Sequence, residues 1–173
     1  MNPPYGGSTD AIVKTRFKSE YRSSETADLF MVLIMERLAK NGRAGVVVPD
    51  GFLFGNDTAK INIKARLLKE FNLHTIIRLP GSIFAPYTGI ATNVLFFNNE
   101  VAEDSFEGFS TKETWFYRMD MPEGYVHFNK SNPMKIEHTE DIQSWWNDRQ
   151  EIILGDNNIK SKCFNPQELF ENG

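Results

Sequence analysis

Arg43-Ala44-Gly45-Val46-Val47-Val48-Pro49 is the stretch on which the fold turns. A continuous β-branched run without polar alternation signals a strand covered on both faces. Such a strand is expected to lie parallel to its neighbours at the centre of an α/β sheet. Pro49-Asp50-Gly51 turns the chain at the strand's C-terminal end, the side on which open α/β sheets bind ligands. Asp50 reads there either as a turn residue or as a ligand contact. Gly42 to Gly45 spells Gly-Arg-Ala-Gly, but it precedes a strand instead of opening a helix, so it is no phosphate-cradling turn.

Working outward, Leu29 to Ala39 is apolar nearly all round. Phe30, Ile34 and Leu38 recur at helical spacing, and Leu29, Val32 and Leu33 widen the face, so this helix is expected to be buried on more than one side. Lys40-Asn41-Gly42 supplies its stop. Downstream, Asn56 or Asp57 caps a second helix. Its Ile61, Ala65 and Leu68 share one face, supported by Ile63, Leu67 and Phe71, and Lys60, Asn62, Lys64, Arg66 and Lys69 are expected to face water. Leu73 to Leu79 and Asn93 to Phe97 read as strands with no helix between them, hence as antiparallel neighbours. Thr114 to Tyr117 reads as a short strand and Thr139 to Arg149 as a short helix. The polar segment from Asp156 is expected to be loose.

The chain has 173 residues, 40% hydrophobic and 24% charged, which suits one globular domain. A net charge of −4 argues against a basic nucleic-acid binder as a whole, so any such contact comes from a local patch or a partner. The single Cys163 allows no internal disulfide, and a cytoplasmic setting is the default. No apolar run approaches the ~18 residues of a membrane span. His74, His127 and His138 are dispersed without metal-ligand spacing, and neither a serine nor the cysteine sits in a nucleophile elbow.

Asn2-Pro3-Pro4-Tyr5 remains as the candidate for chemistry. Two prolines fix φ twice and remove two donors, and the residue before each is held extended. The product is a stiff bend with free carbonyl acceptors, an amide at one end and an aromatic ring at the other. Such a bend can grip a planar group that bears an NH2. The polar stretch Ser8 to Thr26 follows, with Lys14, Arg16, Lys18 and Arg22 interleaved with Phe17 and Tyr21. That mixture suits a phosphate backbone with stacked bases. It equally suits a solvated loop whose Glu20 and Glu25 offset the charge.

Asn2-Pro3-Pro4-Tyr5 resembles the catalytic motif of amino-group methyltransferases that use S-adenosylmethionine. The segments Gly42 to Phe54, Leu73 to Pro80 with Ile83-Phe84, and Thr92 to Phe97 resemble the modification subunit of type I restriction–modification systems, an N6-adenine DNA methylase. The resemblance is strong over residues 1–120 and extends to Trp115-Phe116-Tyr117 and Trp145-Trp146. It implies a partial Rossmann-like α/β methyltransferase fold that ends in an antiparallel hairpin. Residues 1–120 would be the C-terminal half of the catalytic domain, and 121–173 an extension with a short helix and a loose tail. It also implies that the Asn2 oxygen and the Pro3 carbonyl accept hydrogen bonds from the amino group of a flipped adenine, with Tyr5 stacked on the base. Phe84 matches a second aromatic against that base, although a core role fits it equally.

In this family the glycine-rich cofactor loop precedes the catalytic motif, and nothing precedes Met1 here. The resemblance therefore implies a fragment, either excised or from a shortened reading frame. No residue is assigned to the cofactor, binding of S-adenosylmethionine by this chain alone is doubtful, and Asn2 to Tyr5 is expected to be displaced or poorly ordered. The implied partners are DNA and the specificity and restriction subunits. A second chain could also pair with the open edge of the Val46 strand or cover the apolar Leu29 helix. Two rival readings stay open: a non-catalytic assembly module, and a methyltransferase acting on protein glutamine or RNA.

Overall fold

The computed structural model describes residues 1–172. In chain order the elements are α1 (Ala11–Lys14), a 3-10 turn (Ser19–Tyr21), α2 (Thr26–Arg37), β1 (Arg43–Pro49), α3 (Asp50–Phe54), α4 (Thr58–Glu70), β2 (Asn72–Arg78), β3 (Thr92–Asn98) and β4 (Thr114–Arg118). There follow a 3-10 turn (Ile136–Thr139), α5 (Glu140–Asn147), β5 (Ile152–Gly155), β6 (Asn158–Phe164) and α6 (Pro166–Asn172). The six strands form one sheet in the order β1-β3-β2-β4-β6-β5. Only β2 and β4 run parallel, and β2 and β3 are the expected antiparallel neighbours.

The expectation for the valine run needs correcting. β1 pairs with β3 alone among the named strands, antiparallel, with Val46 opposite Leu95. It is an edge strand, covered on one face by the core that holds Val46, Val48, Met31, Met35 and Ile63. β-Branched composition reports burial and says nothing of strand direction. The other edge of β1 meets Met1. The Met1 amino group donates to the Gly45 carbonyl at 2.6 Å, and the Val47 amide donates to the Met1 carbonyl at 2.9 Å. One residue bonded to both flanks of Val46 is the parallel hydrogen-bond pattern.

Both long helices lie on the same face of the sheet, and each buries part of the apolar face expected from the sequence. α2 buries Leu29, Met31, Val32 and Met35, while Phe30, Ile34 and Leu38 are half-buried. Its apolar face is therefore covered, against the expectation of an open one, and only Leu33 is exposed. The helix stops earlier than expected, in extended backbone at Leu38, and Asn41, at φ 60°, lies three residues further on in the turn closed by the Gly42 amide on the Ala39 carbonyl. In α4, capped by Asp57, the buried apolar residues are Ala59, Ile63, Leu67 and Leu68, and Ile61 is exposed. Lys60, expected in water, is 3% exposed.

The opposite face of the sheet carries a second core of Ile77, Tyr117, Met119, Phe128 and Trp145, which α5 covers. The indole of Trp145 donates to the Gln150 carbonyl at 3.0 Å, which satisfies its buried donor. The segment after Asp156 is not loose. β6 pairs with β4 from Thr114 opposite Phe164 to Tyr117 opposite Ser161, so the C-terminal extension belongs to the same sheet. Its polar composition hides this strand, in which the Lys160 and Lys162 ammonium groups lie over the Tyr117 and Phe164 rings.

Candidate active site

Asn2 to Tyr5 lies between two anchors. Met1 holds the upstream end to β1, and Gly7 holds the downstream end to α2. The Gly7 carbonyl accepts the Thr26 hydroxyl at 2.9 Å and the Thr26 amide at 3.3 Å. The motif therefore follows the sheet edge and is not displaced. In the parallel register set by Met1, it runs off the sheet beside the C-terminal end of β1. Gly6 makes the turn between the anchors at φ 81°, a conformation that a side chain would strain.

Within the motif, Pro3 is buried and Asn2 and Pro4 are exposed. Among the described residues, no backbone amide reaches the Pro3 carbonyl and no group bonds the Asn2 amide. Tyr5 is half-buried, and burial raises its phenol above the usual tyrosine value, so the ring is a neutral surface at physiological pH. The bend thus holds two acceptors with no described partner and a half-buried ring.

The basic stretch is a closed loop. Ser8 bridges Glu25, and the Thr9 amide donates to the Ser24 carbonyl at 3.0 Å, so residues 9–24 leave and return at one point. Compact loops of this length with joined ends are a recurrent functional unit. Lys14 is half-buried, and Arg16, Lys18 and Arg22 are exposed. The expected aromatic interleaving does not face solvent, because Phe17 and Tyr21 pack on the main core. Glu25 does not offset the loop cations either. It lies 2.8 Å from the Lys60 ammonium, together with Asp57 at 2.9 Å and Asp28 at 3.0 Å. Burial pushes the Asp28 carboxyl above the usual carboxylate range, against the pull of Ser23 and Lys60.

Phe84 sits half-buried in the loop between β2 and β3 and joins neither core, which removes the core reading for it. Tyr87, which the sequence reading did not single out, is 92% exposed on the same loop. Asp50 was also undervalued. Its carboxylate accepts two hydrogen bonds from Arg78, at 3.0 and 2.8 Å, and one from Asn93 at 2.7 Å. The signal for it is an acid, a base and an amide at the ends of three strands that share one edge of the sheet.

Two conspicuous side chains carry no chemistry here. His74 is the bulged residue of β2, set edge-on to Trp146, and burial followed by the Arg149 charge pushes its imidazole down to about 4. Burial and Glu113 push the Cys163 thiol up to about 11, which leaves it an inert thiol. The apolar cavity of about 350 Å³ lies under α4 and α6, lined by Phe52, Leu67, Phe116 and Phe164 among others. Among the described residues, Lys64 and Glu168 are its only charged lining, and no motif residue reaches it. That hydrocarbon lining does not fit a zwitterionic nucleoside such as S-adenosylmethionine.

The model for the N-6 DNA methylase family matches residues 1–170. The chain belongs to that family. It is 48% identical over 145 residues to the type I restriction enzyme EcoEI methylase subunit of Escherichia coli, an alignment that covers 84% of this chain and 28% of the subunit. The crystal structure of a modification subunit of a putative type I restriction enzyme from Vibrio vulnificus superposes with a TM-score of 0.77 at 38% identity, covering 94% of this chain and 32% of that one. A structure solved for complex assembly and conformational transition of the type I restriction–modification system superposes at 0.80 and 34% identity, over 98% of this chain and 34% of that one. This N-6 DNA methylase chain thus spans about a third or less of the length of these relatives. Their likeness bears out the α/β methyltransferase fold expected from the sequence. Among the described residues no helix is long and apolar enough to cross a membrane.

Proposed function

We propose that this chain supplies the base-holding part of an N6-adenine DNA methyltransferase of a type I restriction–modification system. The observation that carries the reading is the bend itself. The Asn2 amide and the Pro3 carbonyl are unpartnered at the C-terminal end of β1, with the half-buried Tyr5 ring beside them. An adenine amino group has two N–H donors and a flat face, and the bend offers two acceptors and a ring. In this reading Asn2 Oδ1 and the Pro3 carbonyl take the two N6 hydrogens, which orients the nitrogen lone pair away from them. Tyr5 stacks on the base, and stacking of this kind offsets about 1–3 kcal/mol of the cost of extruding it from the duplex. Phe84 closes on the base from the β2–β3 loop.

S-Adenosylmethionine is the methyl donor that the family implies. In this reading the share of this chain is to bind and orient the base. Lys14, Arg16, Lys18 and Arg22 then meet the phosphate backbone as point charges. The specificity and restriction subunits of a type I complex are its protein partners, and the cytoplasm, where such complexes meet DNA, is its setting.

The test is a transplant. The matching segment of the EcoEI methylase subunit is replaced by this chain, and the assembled complex is assayed for methyl transfer to adenine in DNA. Retained transfer, abolished by Asn2→Ala, is the expected result. A folded complex that binds S-adenosylmethionine but leaves adenine unmethylated overturns the reading.

A further inference from the structure

The Asp50 carboxylate, with three hydrogen bonds, is the most heavily used polar group near the motif. Arg78 ends β2, and Asn93 is the second residue of β3. The register sets Val48, Asn93 and Arg78 in one line across the sheet. The backbone of Asp50 extends this pairing two residues beyond Val48, its amide donating to the Ala91 carbonyl at 3.0 Å. One step out, the Leu79 amide donates to the Thr92 carbonyl at 2.9 Å. Both stems of the loop 79–91, which carries Phe84 and Tyr87, are thus gathered at Asp50. Val47, three residues back, holds Met1 and with it the motif.

Two plainer roles fail on geometry. Asp50 opens α3, but its carboxylate is turned to Arg78 and Asn93 instead of capping that helix. Nor is stability the purpose, because the Arg78 and Asp50 side chains are 42% and 29% exposed and such ion pairs contribute little. A two-pronged guanidinium–carboxylate contact does impose direction.

We propose that Asp50 is a positioning residue that fixes the β2–β3 loop against the sheet edge bearing Asn2 to Tyr5. The geometry stands alone, and its consequence for substrate rests on the adenine-methylase reading. The loop aromatics and the motif acceptors reach the base from two sides, and Asp50 sets the gap between them.

Amide hydrogen exchange on this chain tests the coupling. In Arg78→Met the Asp50 and Leu79 amides exchange faster, and so does the Val47 amide two strands away, by about tenfold. A merely local pair speeds the first two and leaves Val47 at its wild-type rate, and that result overturns the proposal. If Arg78→Met does not fold, Asn93→Ser removes one of the three bonds and is read the same way. In the transplanted complex, Arg78→Met raises the KM for DNA about tenfold while kcat and the affinity for S-adenosylmethionine hold. An unchanged KM for DNA overturns the proposal. If the wild-type transplant does not methylate adenine, the reading of function falls, and the exchange result still decides the role of Asp50.

Discussion

The Lys60 ammonium lies 3.0 Å from Asp28 Oδ2, with the two side chains 4% and 0% exposed. This pair fastens the α4 N-terminus to α2 directly beneath the stem of the basic loop. Lys60→Met leaves Asp28 buried without a cation, which is expected to cost about 3–5 kcal/mol. Urea unfolding measures it. Adding Asp28→Leu to Lys60→Met recovers most of the loss, because a buried pair replaced whole by apolar groups is close to neutral.

The same ammonium sets an alkaline limit. Burial pulls the Lys60 ionisation down, but Glu25, Asp57 and Asp28 bind it and hold it above the ordinary lysine value. A folded value above the unfolded one gives stability that is whole below about pH 10, the ordinary lysine range, and is lost as pH rises through the folded value. Thermal melts of wild type and Lys60→Met are therefore expected to converge in the alkaline range. Parallel curves would show the charge to be irrelevant.

Asn2 is exposed and bonds no described residue, so Asn2→Ala is expected to leave stability within about 0.5 kcal/mol. In the transplanted complex the same change is expected to cut methyl transfer about a hundredfold or more, through loss of orientation. Melting temperature and initial rate, measured on one preparation, separate the two effects.

Among the described residues, Lys14, Arg16 and Lys18 form no ion pair. If they and Arg22 meet phosphates, each replacement by Gln lowers the slope of log K against log salt by about 0.9 and weakens binding to every duplex alike. A slope unchanged by all four replacements would return the loop to a solvated surface.

His74 sets an acid limit. Burial and Arg149 hold its imidazole at about 4, below the ordinary histidine value. The unfolded chain binds the proton first, so stability present above the ordinary histidine range is lost as pH falls towards 4. His74→Gln is expected to flatten the stability profile between those limits. An imidazole resonance that titrates near the ordinary value would contradict this.

Much of the fold was legible, and the misses share one cause. The positions of β1 to β4 and the antiparallel pairing of β2 with β3 follow from local composition and connection length. The direction of β1 does not, because Val46 to Val48 pack alike in either sense. β6 escaped notice because its segment is polar, and the rings beneath the Lys160 and Lys162 ammonium groups are not evident from local composition. Lys60 was misplaced for a related reason, since its burial depends on Glu25 and Asp28, which lie more than 30 positions earlier. In the site, the bend could be read from two prolines. The clamp at Asp50 could not, because three strand ends must first be brought together.

The order β1-β3-β2 has a consequence for synthesis. β1 and β2 emerge first and are not neighbours, and β3, which slots between them, is the one named strand that pairs with β1 and the first to reach β2. At ribosomal speeds of about 5–20 residues per second, the β1 edge waits seconds for residues 92–98. Until then the valine run is an unpaired apolar strand in a nascent chain. Protection during that interval is expected to come from α2 and α4, which are helical without β3 and can collapse onto it first.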